Sequence, residues 1–184
     1  MLILASQSPR RREILSAAGI QFEVRAAGVV EEVLPGEVPK DHVRRLAMEK
    51  ASAIKRLDGE AVLGADTVVV VDEEILGKPK DSMDARRMLG KLSGRKHVVI
   101  TGVALVHAGG VVVDDCQTVV HFVPLSESEI AAYVASGEPD DKAGAYAIQG
   151  LASKFIDRIE GDYTNVVGLP AAIVYRHLKQ LGML

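Results

Sequence analysis

The spacing of apolar positions changes repeatedly along the chain, and each change marks an element. Leu2, Ile3 and Leu4 form a short continuous apolar run of the buried-strand type. Behind it, Ser8 stands where an N-cap is wanted and Pro9 at the first helical position, where its missing N–H costs nothing. Ile14, Leu15 and Ala18 then recur at helical spacing as far as Gly19, a natural left-handed C′ residue. Residues 20–24 alternate as a second short strand, and residues 40–57 carry a helical stripe of Val43, Leu46, Ala47 and Ile54. Residues 61–71 are almost uninterruptedly apolar, the pattern of a strand buried on both faces. A third helix follows the turn 77–81, with Ala85, Met88, Leu89 and Leu92 on one face, and ends at Ser93-Gly94. Residues 96–106 and 111–123 read as a long hairpin about 107–110. Ser126 and Glu129 form a capping box for a helix to about Ala135, residues 155–159 read as a strand, and Leu169-Pro170 opens a last helix to about Leu181. Strands and helices that alternate around one long hairpin predict an α/β fold with a mixed sheet flanked by helices. No internal repeat, low-complexity tract or domain boundary interrupts the 184 residues, so one domain over 1–184 is expected.

Three polar residues break this pattern. Arg11 falls on the stripe of Ile14 and Leu15, within a first helical turn that holds Arg10, Arg11 and Arg12. Cations at that end oppose the helix dipole, and Arg11 occupies the place where a capping box would put Glu or Gln. An anion docked on the helix N-terminus would reconcile these facts, since backbone N–H groups and guanidinium forks would converge on it. A solvated basic turn is the other reading. Lys50 lies on the inward stripe of the second helix, either meeting a partner or snorkelling to the rim. Asp66 interrupts the buried strand, where an ionised carboxylate must be paired, hydrogen-bonded or bound to metal.

Composition then removes classes of function. The net charge of -3, the absence of Trp and an aromatic content of 4% leave no basic coat or stacking platform for nucleic acid. A single cysteine, Cys116, excludes an internal disulfide framework and fits a reducing cytoplasm. No run is long enough to span a bilayer, so no membrane partner is expected. The five histidines show no i, i+3 or i+4 pair, and neither a Gly-x-Ser-x-Gly elbow, a Walker loop nor a G-x-G-x-x-G turn is present. What remains is a set of cations (Arg10, Arg11, Lys50, Lys78) and a set of acids (Asp66, Glu31, Glu32). Phosphoryl chemistry uses that mixture: cations neutralise phosphate oxygens, carboxylates hold Mg²⁺ or Mn²⁺, and a carboxylate takes a proton from water.

Five stretches carry a more specific signal. Residues 5–11 (Ala-Ser-Gln-Ser-Pro-Arg-Arg), Glu49-Lys50-Ala51, residues 64–68 (Gly-Ala-Asp-Thr-Val), Gly77-Lys78-Pro79 and the loop from Gly137 to Gly150, with Val167-Gly168-Leu169-Pro170 behind them, resemble the Maf family of nucleoside triphosphate pyrophosphatases. The resemblance runs in order over essentially the whole chain. It implies the elongated fold shared with inosine triphosphate pyrophosphatases, two lobes with a central cleft, and a homodimer. It also implies metal-dependent hydrolysis between the α and β phosphates, giving a nucleoside monophosphate and pyrophosphate. By the same resemblance Asp66 would be the proton acceptor, with Lys50 and Lys78 in the catalytic set. Ser6, Arg10 and Arg11 would bind phosphate, Glu31 and Asp66 would lie at the metal, and Arg11, Thr67 and Gln149 would bear on the base. Asp66-Thr67 resembles the subgroup acting on dTTP and UTP, in a house-cleaning role; members with Asp-Gln there prefer 7-methyl-GTP. A non-catalytic, nucleotide-sensing regulator of cell division is the alternative of a different class. One departure is visible: members often carry Asp-x-Asp-Glu in the early acidic loop, where this chain has Val29-Val30-Glu31, and the difference bears on metal affinity and metal choice.

Overall fold

The computed structural model describes residues 1–26 and 28–184. Its elements follow in the order β1 (Leu2–Leu4), α1 (Pro9–Ala17), β2 (Phe22–Val24), α2 (Pro39–Ser52), β3 (Ala61–Val71), β4 (Glu74–Leu76), α3 (Ser82–Leu92), β5 (Lys96–His107), β6 (Gly110–Phe122), α4 (Glu127–Ala135), β7 (Ile156–Glu160), α5 (Tyr163–Val167) and α6 (Ala171–Gln180). Among the described residues the strands make a seven-stranded sheet in the order β2-β1-β3-β5-β6-β7, with β4 paired to β3. Pairing of β1 with β2 and with β3 is parallel, while β3–β4 and β6–β7 are antiparallel. The expected mixed α/β sheet is therefore what the chain forms.

Two compact units divide the contacts: residues 1–67, 101–116 and 168–184 form the first, and residues 68–100 and 117–167 the second. The first unit buries Ile3, Ala5, Ala47, Ala51, Val62 and Ala104 in one cluster. Small residues dominate there because α2 lies very close to the strands beneath it. A Cβ on Gly64 of β3 would overlap the Ala47 carbonyl oxygen and come within 2.7 Å of the Ala51 nitrogen. On β5, a Cβ at Gly102 would overlap the Val43 carbonyl and come within 2.8 Å of the Arg44 nitrogen. Glycine at two points under one helix lets backbone meet backbone.

The second unit has its own core, with Leu76, Met88, Leu89, Leu92, Phe122, Tyr133, Tyr146 and Phe155 among its members. His97 is buried there, its Nε2 2.8 Å from the Tyr146 hydroxyl, and burial pushes its pKa down to about 3, so it is neutral. Much of the loop 136–150 belongs to this architecture. The Glu138 carboxylate accepts from the Tyr133 hydroxyl at 2.8 Å and from the Leu151 N–H at 2.9 Å, and a Cβ on Gly150 would collide with it.

Several boundaries differ from the periodicity. Ser8 occupies the N-cap of α1, yet its side chain makes no capping bond; its N–H instead donates to Ser6 Oγ at 3.2 Å. Ala18 of the expected stripe is exposed. Helix α2 stops at Ser52 rather than Leu57, because the Glu60 carboxylate takes the Leu57 N–H (2.8 Å) and folds 57–60 into a turn through Gly59. Strand β4 follows a tight turn in which Asp72 and Glu73 both adopt positive φ, without the Asn-Gly or Asp-Gly signature that announces such turns. Helix α5 starts where Asp162 Oδ1 accepts from the Thr164 N–H at 2.7 Å.

Gly64→Ala is expected to force α2 off the sheet and to lower stability by about 2 kcal/mol or more, at the overpacking end of core substitutions. Urea unfolding of the variant beside the parent protein measures it, and an unchanged midpoint would contradict the close approach.

Candidate active site

Most of the anticipated site residues fall in the first unit, on four pieces of chain. Parallel pairing of β1 with β3 continues one residue past the strand, the Ala5 N–H donating to the Leu63 carbonyl at 2.8 Å. That bond sets Ser6 beside the stretch of β3 that bears Asp66 and Thr67. Ser6, 8% exposed, accepts from the Ser8 N–H and from Arg11 Nη1, both at 3.2 Å. Arg11 points inward, as its place on the apolar stripe predicts. Its Nε donates to the Gly168 carbonyl at 2.9 Å and its Nη2 to Thr67 Oγ1 at 3.2 Å. Burial pushes the Arg11 guanidinium below its ordinary pKa, opposed by the charges of Asp66 and Glu31. A guanidinium has five N–H donors; with Nε, one at Nη1 and one at Nη2 engaged among the described residues, two remain for an incoming oxygen. Arg10, on the same turn, is half-buried.

Thr67 Oγ1 is saturated. It accepts from Arg11, lies 2.9 Å from Thr101 Oγ1 and donates to the Gly168 carbonyl at 3.3 Å, which uses one donor and two acceptor positions. Thr67 thereby steadies Arg11. Gly168 takes φ 128°, a conformation that side-chain-bearing residues rarely adopt, and so presents its carbonyl to both partners.

Lys50 ends in a second cluster. Its ammonium is 2.7 Å from Asp66 Oδ1 and 2.5 Å from Glu31 Oε1, with side-chain exposures of 10% for Lys50, 9% for Asp66 and 41% for Glu31. The buried carboxylate in the apolar strand and the buried lysine on the inward stripe are therefore partners. Both carboxylates meet the same ammonium, Glu31 from the more exposed side. Among the described residues no group of three or more His, Cys, Asp or Glu side chains is placed to hold a metal. Two carboxylates suffice for Mg²⁺ or Mn²⁺, however, when phosphate oxygens and water complete the shell, so Asp66 and Glu31 fit such an ion chemically.

Lys78 and Gln149 belong to the second unit, and both are exposed. Their loops are tied together there, the Gly144 N–H donating to the Gly77 carbonyl at 3.0 Å.

A family model described as Maf-like protein matches residues 1–181. The chain belongs to the Maf family. A dTTP/UTP pyrophosphatase of Geotalea uraniireducens is 54% identical over 184 residues, covering 98% of this chain and 95% of the relative. A dTTP/UTP pyrophosphatase of Symbiobacterium thermophilum is 53% identical over 182 residues, covering 98% and 94%. The fold is also that of a HAM1 protein from Coxiella burnetii, with a TM-score of 0.51 at 13% identity over 97% of this chain and 98% of the other.

Within this Maf chain two features escape sequence reasoning. Thr101 joins Thr67 from a neighbouring strand, and nothing local in Ile100-Thr101-Gly102 announces it. Arg45, Glu37 and His42 form a network at the N-terminal half of α2, where Glu37 accepts from Arg45 Nε at 2.6 Å and Nη2 at 2.8 Å, from the Leu34 N–H at 3.0 Å, and lies 3.0 Å from His42 Nδ1. The arginine holds the Glu37 carboxyl far below its ordinary 4.5, at about 2. A carboxylate whose pKa is lower folded than unfolded stabilises the fold above the unfolded value. That contribution drains away as pH falls from about 4.5 towards about 2. Denaturant midpoints measured across this window should fall in the parent protein and fall less in Glu37→Gln; parallel curves would contradict the buried pairing.

Proposed function

We propose that residues 1–184 act as one nucleoside triphosphate pyrophosphatase domain that hydrolyses dTTP and UTP to the monophosphate and pyrophosphate. The observation that carries this reading is the ammonium of Lys50 set between Asp66 and Glu31, at 2.7 and 2.5 Å, in a chain of the Maf family. The names of the relatives support the substrate class, and Thr67 after Asp66 agrees with it.

In this reading the triphosphate binds with its charge against Arg10 and Arg11, and the two remaining N–H donors of Arg11 give the phosphate oxygens a directed contact. Asp66 and Glu31 would hold Mg²⁺ or Mn²⁺ together with phosphate oxygens. When bound, such an ion draws charge from the phosphates and acidifies water. Lys50 fixes the Asp66 carboxylate through Oδ1. Among the described residues Oδ2 takes no side-chain hydrogen bond, and it is the oxygen that accepts the proton from the attacking water. The new P–O bond forms from that water as the α–β bridging P–O bond breaks, so the electron pair leaves with the departing phosphate oxygen. The resemblance to the family assigns Lys78 to the phosphates and Gln149 to the base, whose edge its amide could pair.

Two measurements test this. Incubation with Mg²⁺ or Mn²⁺ and dTTP, followed by anion-exchange separation, should give dTMP and pyrophosphate; orthophosphate and dTDP would overturn the bond assignment. Asp66→Asn should lower kcat by about 100- to 10,000-fold, the span for loss of a positioned base, while nucleotide binding by calorimetry changes only a few-fold. Equal loss of binding and turnover would remove Asp66 from the proton-transfer role.

A further inference from the structure

Residues 28–38 contain no helix or strand, and four of their apolar side chains are too exposed to anchor them. Val30, Val33, Leu34 and Val38 are 71%, 49%, 49% and 52% exposed. Yet this segment delivers Glu31 to within 2.5 Å of the Lys50 ammonium. Besides the Lys50 contact of Glu31, several polar contacts of the segment converge on one side chain of α2. Arg45 Nη2 donates to the Glu32 carbonyl at 2.9 Å, immediately after Glu31 in the chain. Arg45 also grips both oxygens of Glu37, at 2.6 and 2.8 Å. Glu37 closes the turn behind it: its N–H donates to the Leu34 carbonyl and its carboxylate accepts the Leu34 N–H, both at 3.0 Å, across Gly36 at φ 75°. Arg45 Nη1 reaches back to Glu49 at 3.1 Å, which orients the guanidinium plane.

We propose that Arg45 is a positioning residue for Glu31, holding the segment 28–38 against α2 so that Glu31 stands at Lys50 and Asp66 when substrate arrives. The inference rests on the pyrophosphatase reading for what Glu31 does, but the anchoring itself does not depend on that reading. A general stabilising surface network is the weaker account. Exposed ion pairs contribute little, whereas a bidentate guanidinium–carboxylate pair with a side-chain exposure of 7% at Glu37 and 22% at Arg45 is directional. The geometry also needs arginine rather than any cation, because one planar fork serves a backbone carbonyl and two carboxylates at once.

The test uses the full chain with Arg45→Lys, which keeps the charge and loses the fork, and Arg45→Ala beside it. Hydrogen exchange read by mass spectrometry should show lost protection over 28–38, where the Leu34 and Glu37 amides are bonded, with protection over 61–67 kept. For dTTP hydrolysis, the Mg²⁺ concentration giving half-maximal rate should rise by about 10- to 100-fold, as when an outer partner of a metal-site ligand is removed. In a Glu31→Gln background Arg45→Lys should add less than about a 2-fold effect, because both changes disable one unit. Unchanged exchange over 28–38, or a full additional loss in the Glu31→Gln background, overturns the proposal. If the parent protein hydrolyses neither dTTP nor UTP, the function reading falls and the exchange result alone decides the anchoring. If Arg45→Ala fails to fold, Arg45→Lys carries the comparison.

Discussion

An ammonium with two carboxylates around it, the ammonium and one carboxylate withdrawn from water, is the constraint on which the first unit depends. Taking any one of these charges out of solvent alone would cost several kcal/mol. Lys50 and Asp66 share that cost at 2.7 Å, and Glu31 completes the shell from the more exposed side. One cation and two anions sum to a single negative charge, which favours a further cation and makes the cluster suited to a substrate that brings one. Under the proposed reading the two arginines of α1 would meet the phosphates, so a polyphosphate and its counterion would find separate, oppositely charged hosts. The same separation would let a chain with a net charge of only -3 accept a highly anionic substrate.

Rigidity around this cluster comes from unlike sources. Asp66 is held by strand pairing, Lys50 by a helix lying on glycine, and Glu31 by a hydrogen-bonded loop. Arg11 is held by three acceptors, two of them hydroxyls and one a backbone carbonyl at a glycine. Thr67 spends its whole hydrogen-bonding capacity on this arrangement. A base edge that met its hydroxyl would therefore have to take over one of those bonds, and would feel Arg11 through it.

How much of this was legible in the sequence follows from how each residue earns its position. Arg11, Lys50 and Asp66 stood out because a charge on an apolar stripe or in an apolar strand violates a periodic pattern, and the structure gives each a partner. The sheet class was legible for the same reason, since long apolar strands and striped helices impose their periods over many residues. Asp72 and Glu73, by contrast, form a turn through backbone conformations their residue types do not advertise, so β4 left no local mark. The end of α2 was hidden because it depends on Glu60, which folds back on Leu57. Thr101 and Arg45 were invisible because their meaning lies in partners 34 and 8 residues distant, in bonds that only the folded chain assembles. The loop from Gly137 to Gly150 carries part of the family resemblance, and within it Glu138 and Gly150 serve packing in the second unit.

The glycines beneath α2 have a consequence for how this family can change length. Val43, Ala47 and Ala51 touch the sheet at fixed points, which locks the helix against both sliding and turning about its axis. Each residue of an α-helix turns the chain by about 100° and advances it by about 1.5 Å. A single-residue insertion between Val43 and Lys50 would leave the first contact in place and swing the ammonium a quarter-turn or more away from Asp66. Variation in chain length should accordingly gather in the segments before Pro39 and after Ser52, and spare the span that meshes with Gly64 and Gly102.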